Sequence, residues 1–246
     1  MTESLEVEDL VVRYGDVDAL RDVTFRMEPV STLAVIGPNG SGKSTLLRAI
    51  AGLVDARRGR VVLPDGRPPS FVLQSTDVER SLPITVRDTV AAARYPSLGL
   101  LRRFGAEDRT AVDAAMARLA VAELADRQLH DLSGGQRQRV LVAQGLAQES
   151  SLLLLDEPVT GLDVVSRALI LEVIDEERAK GKIVLFTTHA LDEARRCDQV
   201  LLLAGAPVAL GVPDDVLCEE HVKAAFGGRF LRVGDTIILD DPHHAH

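Results

Sequence analysis

The stretch Gly37-Pro38-Asn39-Gly40-Ser41-Gly42-Lys43-Ser44-Thr45 fits the pattern G-x-x-x-x-G-K-[ST] without a mismatch. An apolar strand-like run, Leu33-Ala34-Val35-Ile36, leads into it, and a helix-like run from Thr45 to Leu53 leads out. Glycines let such a loop curl until consecutive N–H groups point inward as an anion nest. The helix after the loop adds the positive end of its dipole. In this arrangement Lys43 reaches the outer phosphates of a nucleoside triphosphate and the Ser44 hydroxyl ligates Mg²⁺. The competing reading is a glycine-rich turn with a surface lysine, and the strand–loop–helix context argues against it.

Two further groups carry chemistry. Leu152-Leu153-Leu154-Leu155-Asp156-Glu157-Pro158 is an apolar strand ending in two acids. Near a phosphate loop, Asp156 is placed to hold the Mg²⁺ shell, and Glu157 to polarise a water toward the γ-phosphate. The alternative is a strand end with two solvated acids. Asp131-Leu132-Ser133-Gly134-Gly135-Gln136 is a second glycine-rich helix start. Ser133 alone would make an ordinary N-cap. Paired glycines weaken a helix, so their presence points to close backbone approach by a ligand, a second phosphate-binding helix start.

The hydrophobic pattern sets the strands and helices that hold these groups. Strands are expected over Leu5 to Tyr14, Val23 to Met27, Thr32 to Ile36, Gly59 to Leu63 and Phe71 to Leu73, with a loop over Pro64 to Pro69. From Val86 to Gln148 the period turns helical, with helices over Val86 to Tyr95, Ala106 to Leu119 and Gly134 to Gln148. Val112, Ala115, Met116 and Leu119 share one face of the second. Strand character returns at Leu152 to Leu155, succeeded by a helix (Val164 to Ala179), a strand (Ile183 to Thr187), a short helix from Ala190 and a strand (Gln199 to Leu203). The expected fold is α/β: a mostly parallel sheet, an N-terminal antiparallel β layer and an inserted α-helical subdomain. The expected divisions are a core at 1–76 and 149–212, a helical subdomain at 77–148 and a C-terminal extension at 213–246, all within one domain spanning 1–246.

Composition narrows the function. The net charge of -9 argues against a broad nucleic-acid footprint, which needs clustered cations. Cys197 and Cys218 are far apart and form no CxxC, as expected in a reducing compartment. The first residues, Met1 to Glu6, lack the pattern of a signal peptide. No apolar run approaches the ~18 residues a membrane span needs; Val200 to Val212 is broken by Gly205, Pro207 and Gly211. If the protein works on a membrane, another chain is expected to span it.

Taken together and in order, Gly37–Thr45, Leu132–Gln136 and Leu152–Pro158 resemble the nucleotide-binding subunit of the ATP-binding cassette (ABC) transporter family. The phosphate loop is common to many NTPases; Leu-Ser-Gly-Gly-Gln is the diagnostic stretch. The resemblance spans roughly Leu5 to Gly211 and implies a P-loop NTPase core. It implies that Tyr14 stacks on adenine, that Gln74 contacts Mg²⁺ and the attacking water, that Gly161-Leu162-Asp163 signals across a dimer, and that His189 contacts the γ-phosphate. With Gln74, Glu157 and His189 all present, an active ATPase is expected, using ATP and Mg²⁺. One departure lies in Ala143-Gln144-Gly145-Leu146, where many relatives carry Arg-Ala after the alanine. The resemblance also implies a head-to-tail dimer in which Ser133–Gln136 covers the nucleotide of the opposite subunit. It further implies a separate integral membrane permease, docked near Gln74 and the Leu82–Tyr95 region, and a peripheral place on the cytoplasmic face of the cell membrane.

For the cargo, Ser81-Leu82-Pro83-Ile84-Thr85-Val86, Arg94-Tyr95-Pro96 and Ala224-Ala225-Phe226-Gly227-Gly228 resemble the manganese/zinc/iron importer branch, which implies an extracytoplasmic metal-binding protein delivering to the permease. A siderophore, sugar or amino-acid importer is the nearer alternative. A soluble ABC ATPase acting on ribosomes or DNA is the more distant one; those usually carry two cassettes or a long coiled-coil insertion. The ending Asp240-Asp241-Pro242-His243-His244-Ala245-His246 offers weak transition-metal ligands, with an unstructured tail or cloning remnant as the preferred reading.

Overall fold

Apolar alternation and turn residues divide the chain into short strands and helices, and the computed structural model describes residues 3–73, 83–98, 102–227, 230–233 and 236–239 of it. Gln74, Ser81, Leu82, Gly228 and the 240–246 tail lie outside the described residues. In chain order, strands β1 (Leu5–Tyr14), β2 (Val17–Met27) and β3 (Ser31–Ile36) precede helix α1 (Lys43–Ile50) and strands β4 (Arg58–Val62) and β5 (Ser70–Val72). Helices α2 (Val86–Ala92), α3 (Tyr95–Leu98), α4 (Ala106–Arg118) and α5 (Gly134–Ala147) come next. The chain then alternates through β6 (Leu152–Leu155), α6 (Val164–Ala179), β7 (Ile183–Thr188), α7 (Leu191–Ala194) and β8 (Gln199–Leu203). It continues through β9 (Pro207–Gly211), α8 (Pro213–Val216), α9 (Glu219–Phe226) and the hairpin β10 (Phe230–Val233)–β11 (Thr236–Leu239).

Among the described residues the main sheet has the order β5-β6-β7-β3-β8-β9. It is parallel except for β9, which runs antiparallel to β8. Its strands are apolar on both faces because both are covered. Leu33, Val35, Leu152, Leu154, Ile183 and Leu185 pack with β1, β2 and α1. Ala34, Ile36, Leu153, Leu155, Val184 and Phe186 pack with the helical side. The antiparallel layer, order β2-β1-β4, lies on the first of these faces. The fold is the expected α/β arrangement with a mixed sheet, an antiparallel N-terminal layer and an inserted helical block.

Several element boundaries differ from the sequence expectation, each for a local reason. Strand β2 starts at Val17 rather than Val23; register shifts against β1 and the left-handed Asp9 and Asp22 (φ 46° and 49°) interrupt the alternation that would have shown it. The helix expected over Val86 to Tyr95 ends at Ala92 and restarts at Tyr95, since Pro96 lacks the N–H that would continue it. Strand β9, to which the sequence pattern assigned no element, opens with Pro207 at the sheet edge, where its missing N–H is tolerated. Within 213–246, α8 begins with Pro213, and α9 has Glu219 and Glu220 in its first turn.

The helical block buries Val112, Ala115, Met116 and Leu119 as their spacing requires. Two ion clusters fasten it. Arg94 donates to Asp108 (3.0 Å), Glu149 (2.6 Å) and the Ala147 carbonyl (2.9 Å). Arg118 of α4 pairs with Glu176 and with the buried Glu177 (2.6 Å) at the end of α6. The departure at Gly145 also has a packing reason. A Cβ there would sit 2.5 Å from Val72 Cγ2, so glycine lets α5 close against β5.

Candidate functional site

The parallel register brings the carboxyl ends of three neighbouring strands together. Ile36, the last residue of β3, pairs with Thr188 of β7, and Leu155, the last of β6, pairs with Phe186. The segments leaving these strands therefore meet in one crevice, the usual ligand position of an open α/β sheet: Gly37–Gly42 after β3, Asp156-Glu157 after β6 and His189 after β7.

The phosphate loop is held from two sides. A Cβ on Gly37 would sit 2.0 Å from the Leu203 carbonyl oxygen of β8. One on Gly42 would sit 2.6 Å from the Ala19 carbonyl oxygen of β2, and Gly42 is also left-handed, with φ 97°. The Ser41 carbonyl accepts from the Gly205 N–H at 2.9 Å, tying the loop to the β8–β9 turn. Pro38 closes a tight turn by accepting from Ser41 N–H at 3.1 Å. Lys43 Nζ lies across the loop, donating to the carbonyls of Gly37 (2.8 Å) and Pro38 (3.2 Å).

The chemistry of this cradle fits a polyphosphate. Gly42 caps α1 without a side chain, and no acid stands in the first turn. The orphan N–H groups and the positive helix end therefore remain for an anion. Helix α5 likewise has no acid in its first turn, a feature it shares with α3 and α6. Ser41 Oγ is buried in the loop with no hydrogen-bond partner. Ser44 Oγ and Asp156 Oδ1, 3.0 Å apart, form an all-oxygen pair of the kind Mg²⁺ takes.

Asp156 is buried and accepts twice at the same oxygen, from Ser44 Oγ and from Thr187 Oγ1 (2.8 Å). Glu157 has a left-handed backbone, φ 49°, which is strained for a residue with a side chain. Its N–H donates to Thr187 Oγ1 at 2.7 Å, and its Oε1 accepts from His189 Nε2 at 2.6 Å. The His189 hydrogen bond is the chief reason the Glu157 carboxyl is held below the usual carboxylate range; burial pushes the other way, and nearby Lys43 adds to the lowering. Glu157 is therefore an anion at neutral pH. The loop bearing His189 is set by Thr188, whose hydroxyl donates to buried Glu193 and accepts from Ala190 N–H (3.0 Å). Burial raises the Glu193 carboxyl above its ordinary value, and Arg167 holds it at 3.0 Å.

Ser133–Gln136 and Asp163 form a second cluster. Ser133 and Gln136 make a reciprocal capping box: Ser133 Oγ accepts from Gln136 N–H (3.2 Å), and Gln136 Oε1 from Ser133 N–H (3.1 Å). A Cβ on Gly134 would meet nothing within 4 Å, so this backbone is open to approach. One on Gly135 would lie 2.6 Å from Asp163 Oδ2 and 2.7 Å from Ser166 Oγ, where Asp163 caps α6 through Ser166 N–H (2.9 Å). Gly135 is thus small for packing, and Gly134 has no such reason. Tyr14 stands 47% exposed at the end of β1, its turn pinned by Arg13 donating to the Gly15 and Asp16 carbonyls.

Of the residues singled out by sequence, Gly37 to Thr45, Asp156, Glu157 and His189 meet in the crevice, while Ser133–Gln136 sits with Asp163. Thr187 joins the crevice without having been singled out. Its signal in the sequence is a hydroxyl directly after the apolar run Ile183 to Phe186 of a buried strand, where an unbonded polar group is costly.

The ABC transporter family model matches residues 20–160. The manganese transport system ATP-binding protein MntB of Listeria innocua is 35% identical over 231 residues, covering 91% of this chain and 96% of that one. The zinc transport system ATP-binding protein TroB of Treponema pallidum is 37% identical over 234 residues, covering 92% and 88%. Among solved structures, a chain described as a metal-chelate type ABC transporter in an inward-facing conformation matches with a TM-score of 0.82 and 28% identity, covering 96% and 95%.

Proposed function

The chain belongs to the ABC transporter family, with the ATP binding and hydrolysis that define its ATPase domains, and we propose that it energises import of a transition-metal ion (manganese, zinc or iron) through a separate membrane permease. The observation that carries the catalytic reading is the meeting of the phosphate loop, the Ser44–Asp156 pair and the Glu157–His189 pair at the ends of β3, β6 and β7. The names of the manganese and zinc relatives support the choice of cargo.

Each residue then has a role. Loop N–H groups and the α1 terminus bind the β- and γ-phosphates. Lys43 exchanges its two carbonyl contacts for phosphate oxygens. Ser44 and Asp156 would hold Mg²⁺, which when bound would neutralise developing charge on the phosphates. Glu157, ionised at neutral pH, accepts a hydrogen bond from the attacking water and orients it in line. His189 holds the Glu157 carboxylate through its Nε2–H, and that same N–H is the donor that would turn to the transferred group when nucleotide fills the site. Gln74 completes the water site, and Tyr14 stacks on the base, an interaction worth about 1–3 kcal/mol for bases on aromatics.

Ser133–Gln136, with its open Gly134 backbone, covers the nucleotide of a second copy of this chain, so the working unit is a head-to-tail dimer. Specific ATPase activity then rises with protein concentration until the dimer saturates. Activity per molecule that stays constant down to high dilution contradicts this. Among the described residues no helix is long and apolar enough to cross a membrane. The chain would sit peripherally on the cytoplasmic face beneath its permease, with an extracytoplasmic metal-binding protein on the far side.

Gene deletion and complementation test the cargo. Cells lacking the chain should accumulate less manganese or zinc, and the wild-type chain, but not Lys43→Ala, should restore uptake. Unchanged uptake of free ions with lost uptake of a metal chelate would favour the second reading, which the metal-chelate structural neighbour keeps in view. Co-purification with ribosomes or DNA instead of an integral membrane protein would overturn both.

A further inference from the structure

We propose that Thr187 is a positioning residue for ATP hydrolysis, its one hydroxyl fixing the two neighbouring acids in relation to each other. The inference rests on the proposed roles of Asp156 in holding Mg²⁺ and of Glu157 in orienting the water.

Thr187 is the penultimate residue of β7 and is fully buried. The four residues before it, Ile183 to Phe186, are apolar and belong to the two core clusters. Strand packing gives no reason for a hydroxyl here. The hydroxyl is used in both senses: it donates to Asp156 Oδ1 at 2.8 Å and accepts from the Glu157 N–H at 2.7 Å. A threonine has one proton to give and lone pairs to receive, so both bonds form at once.

Each bond constrains a different acid. Asp156 Oδ1 is pinned from two elements, by Ser44 at the start of α1 and by Thr187 at the end of β7. That fixes Oδ1, and with it where the carboxylate stands beside Ser44. On the Glu157 side, the bonded group is the N–H of a residue held at φ 49°. Such a conformation persists only when its surroundings impose it. The Thr187 bond supplies that constraint at the backbone, while His189 supplies it at the carboxylate. Thr187 thereby links the metal side of the site to the water side through one short side chain on a buried strand.

The test compares Thr187→Val, which keeps the shape and removes both bonds, with Thr187→Ser, which keeps the hydroxyl, and with Glu157→Gln. For Thr187→Val, kcat should fall roughly 10- to 100-fold, the effect of displacing a catalytic group by an ångström or less, with KM for ATP within about twofold. A second readout needs no turnover. In the Glu157→Gln background with ATP present, adding Thr187→Val should raise the Mg²⁺ concentration for half-maximal thermal stabilisation roughly tenfold. Thr187→Ser should restore both within about twofold. Should the valine variant fail to fold, Thr187→Cys, with a weak donor of similar size, replaces it, with serine still expected to exceed it. Wild-type kcat and Mg²⁺ response in Thr187→Val, beside a Glu157→Gln that has lost turnover, overturns the proposal alone. So does a loss that serine does not restore. A Glu157→Gln that turns over normally overturns the assignment of the acids and the proposal with it.

Discussion

His189 Nε2 lies 2.6 Å from Glu157 Oε1, closing the end of β7 onto the end of β6 across 32 residues of sequence. This contact lowers the Glu157 carboxyl pKa, so the charge on Glu157 and the position of His189 are one arrangement.

His189→Ala should therefore change more than the rate. We expect kcat to fall roughly 10- to 1,000-fold, in the range for loss of a positioned donor or proton-transfer group. The pH profile should move as well. Glu157 is depressed in the folded protein, so its ionised form persists to lower pH than an ordinary glutamate's. Removing His189 raises its pKa, and the acid limb of the kcat profile should shift to higher pH. An unshifted limb in the variant would show that another group titrates there.

The two glycines of the second helix start should separate packing from ligand approach. Gly135→Ala places a Cβ 2.6 Å from Asp163 Oδ2, and overpacking of this kind costs about 1–3 kcal/mol. Gly134→Ala meets nothing within 4 Å, and alanine is up to about 1 kcal/mol more favourable in a helix. Gly134→Ala should melt at or above the wild-type temperature while losing most of its turnover, because on the proposed reading the new methyl stands where a phosphate approaches. A stable Gly134→Ala with full activity would remove this backbone from the nucleotide site.

The Arg118–Glu177 contact, which joins the helical block to α6, should show in stability against pH. Burial works against the Glu177 carboxylate, but bonds from Lys182, Lys180 and Arg118 prevail and bring its pKa down to about 2. Its folded pKa lies below the ordinary value, so its contribution of about 3 kcal/mol is complete above about pH 4.5 and is lost as pH falls through about 2. Glu177→Gln should be destabilised by about that amount in urea at pH 7, with the difference falling to less than half at pH 3. A difference independent of pH would mean that Glu177 acts through packing.

Much of the site is legible in the chain itself because the chemistry is carried by short, contiguous stretches. A phosphate loop, a Leu-Ser-Gly-Gly-Gln helix start and an apolar strand ending in Asp156-Glu157 each announce a local backbone shape. The parallel core strands are legible because burial on both faces leaves an uninterrupted apolar run. The features that escape depend on partners distant in sequence. Thr187 gains its meaning from acids 30 and 31 residues away. Strand β9 is stabilised by β8 despite Pro207, and the start of β2 is masked by irregular pairing with β1.

Steady-state hydrolysis by Glu157→Gln is the decisive measurement for the catalytic site. The substitution keeps the size of the side chain and its capacity to meet His189, and removes the charge proposed to orient the water. ATP binding should survive while hydrolysis falls at least about a hundredfold. Hydrolysis within about twofold of wild type, with ATP binding intact, would contradict the assignment of Glu157.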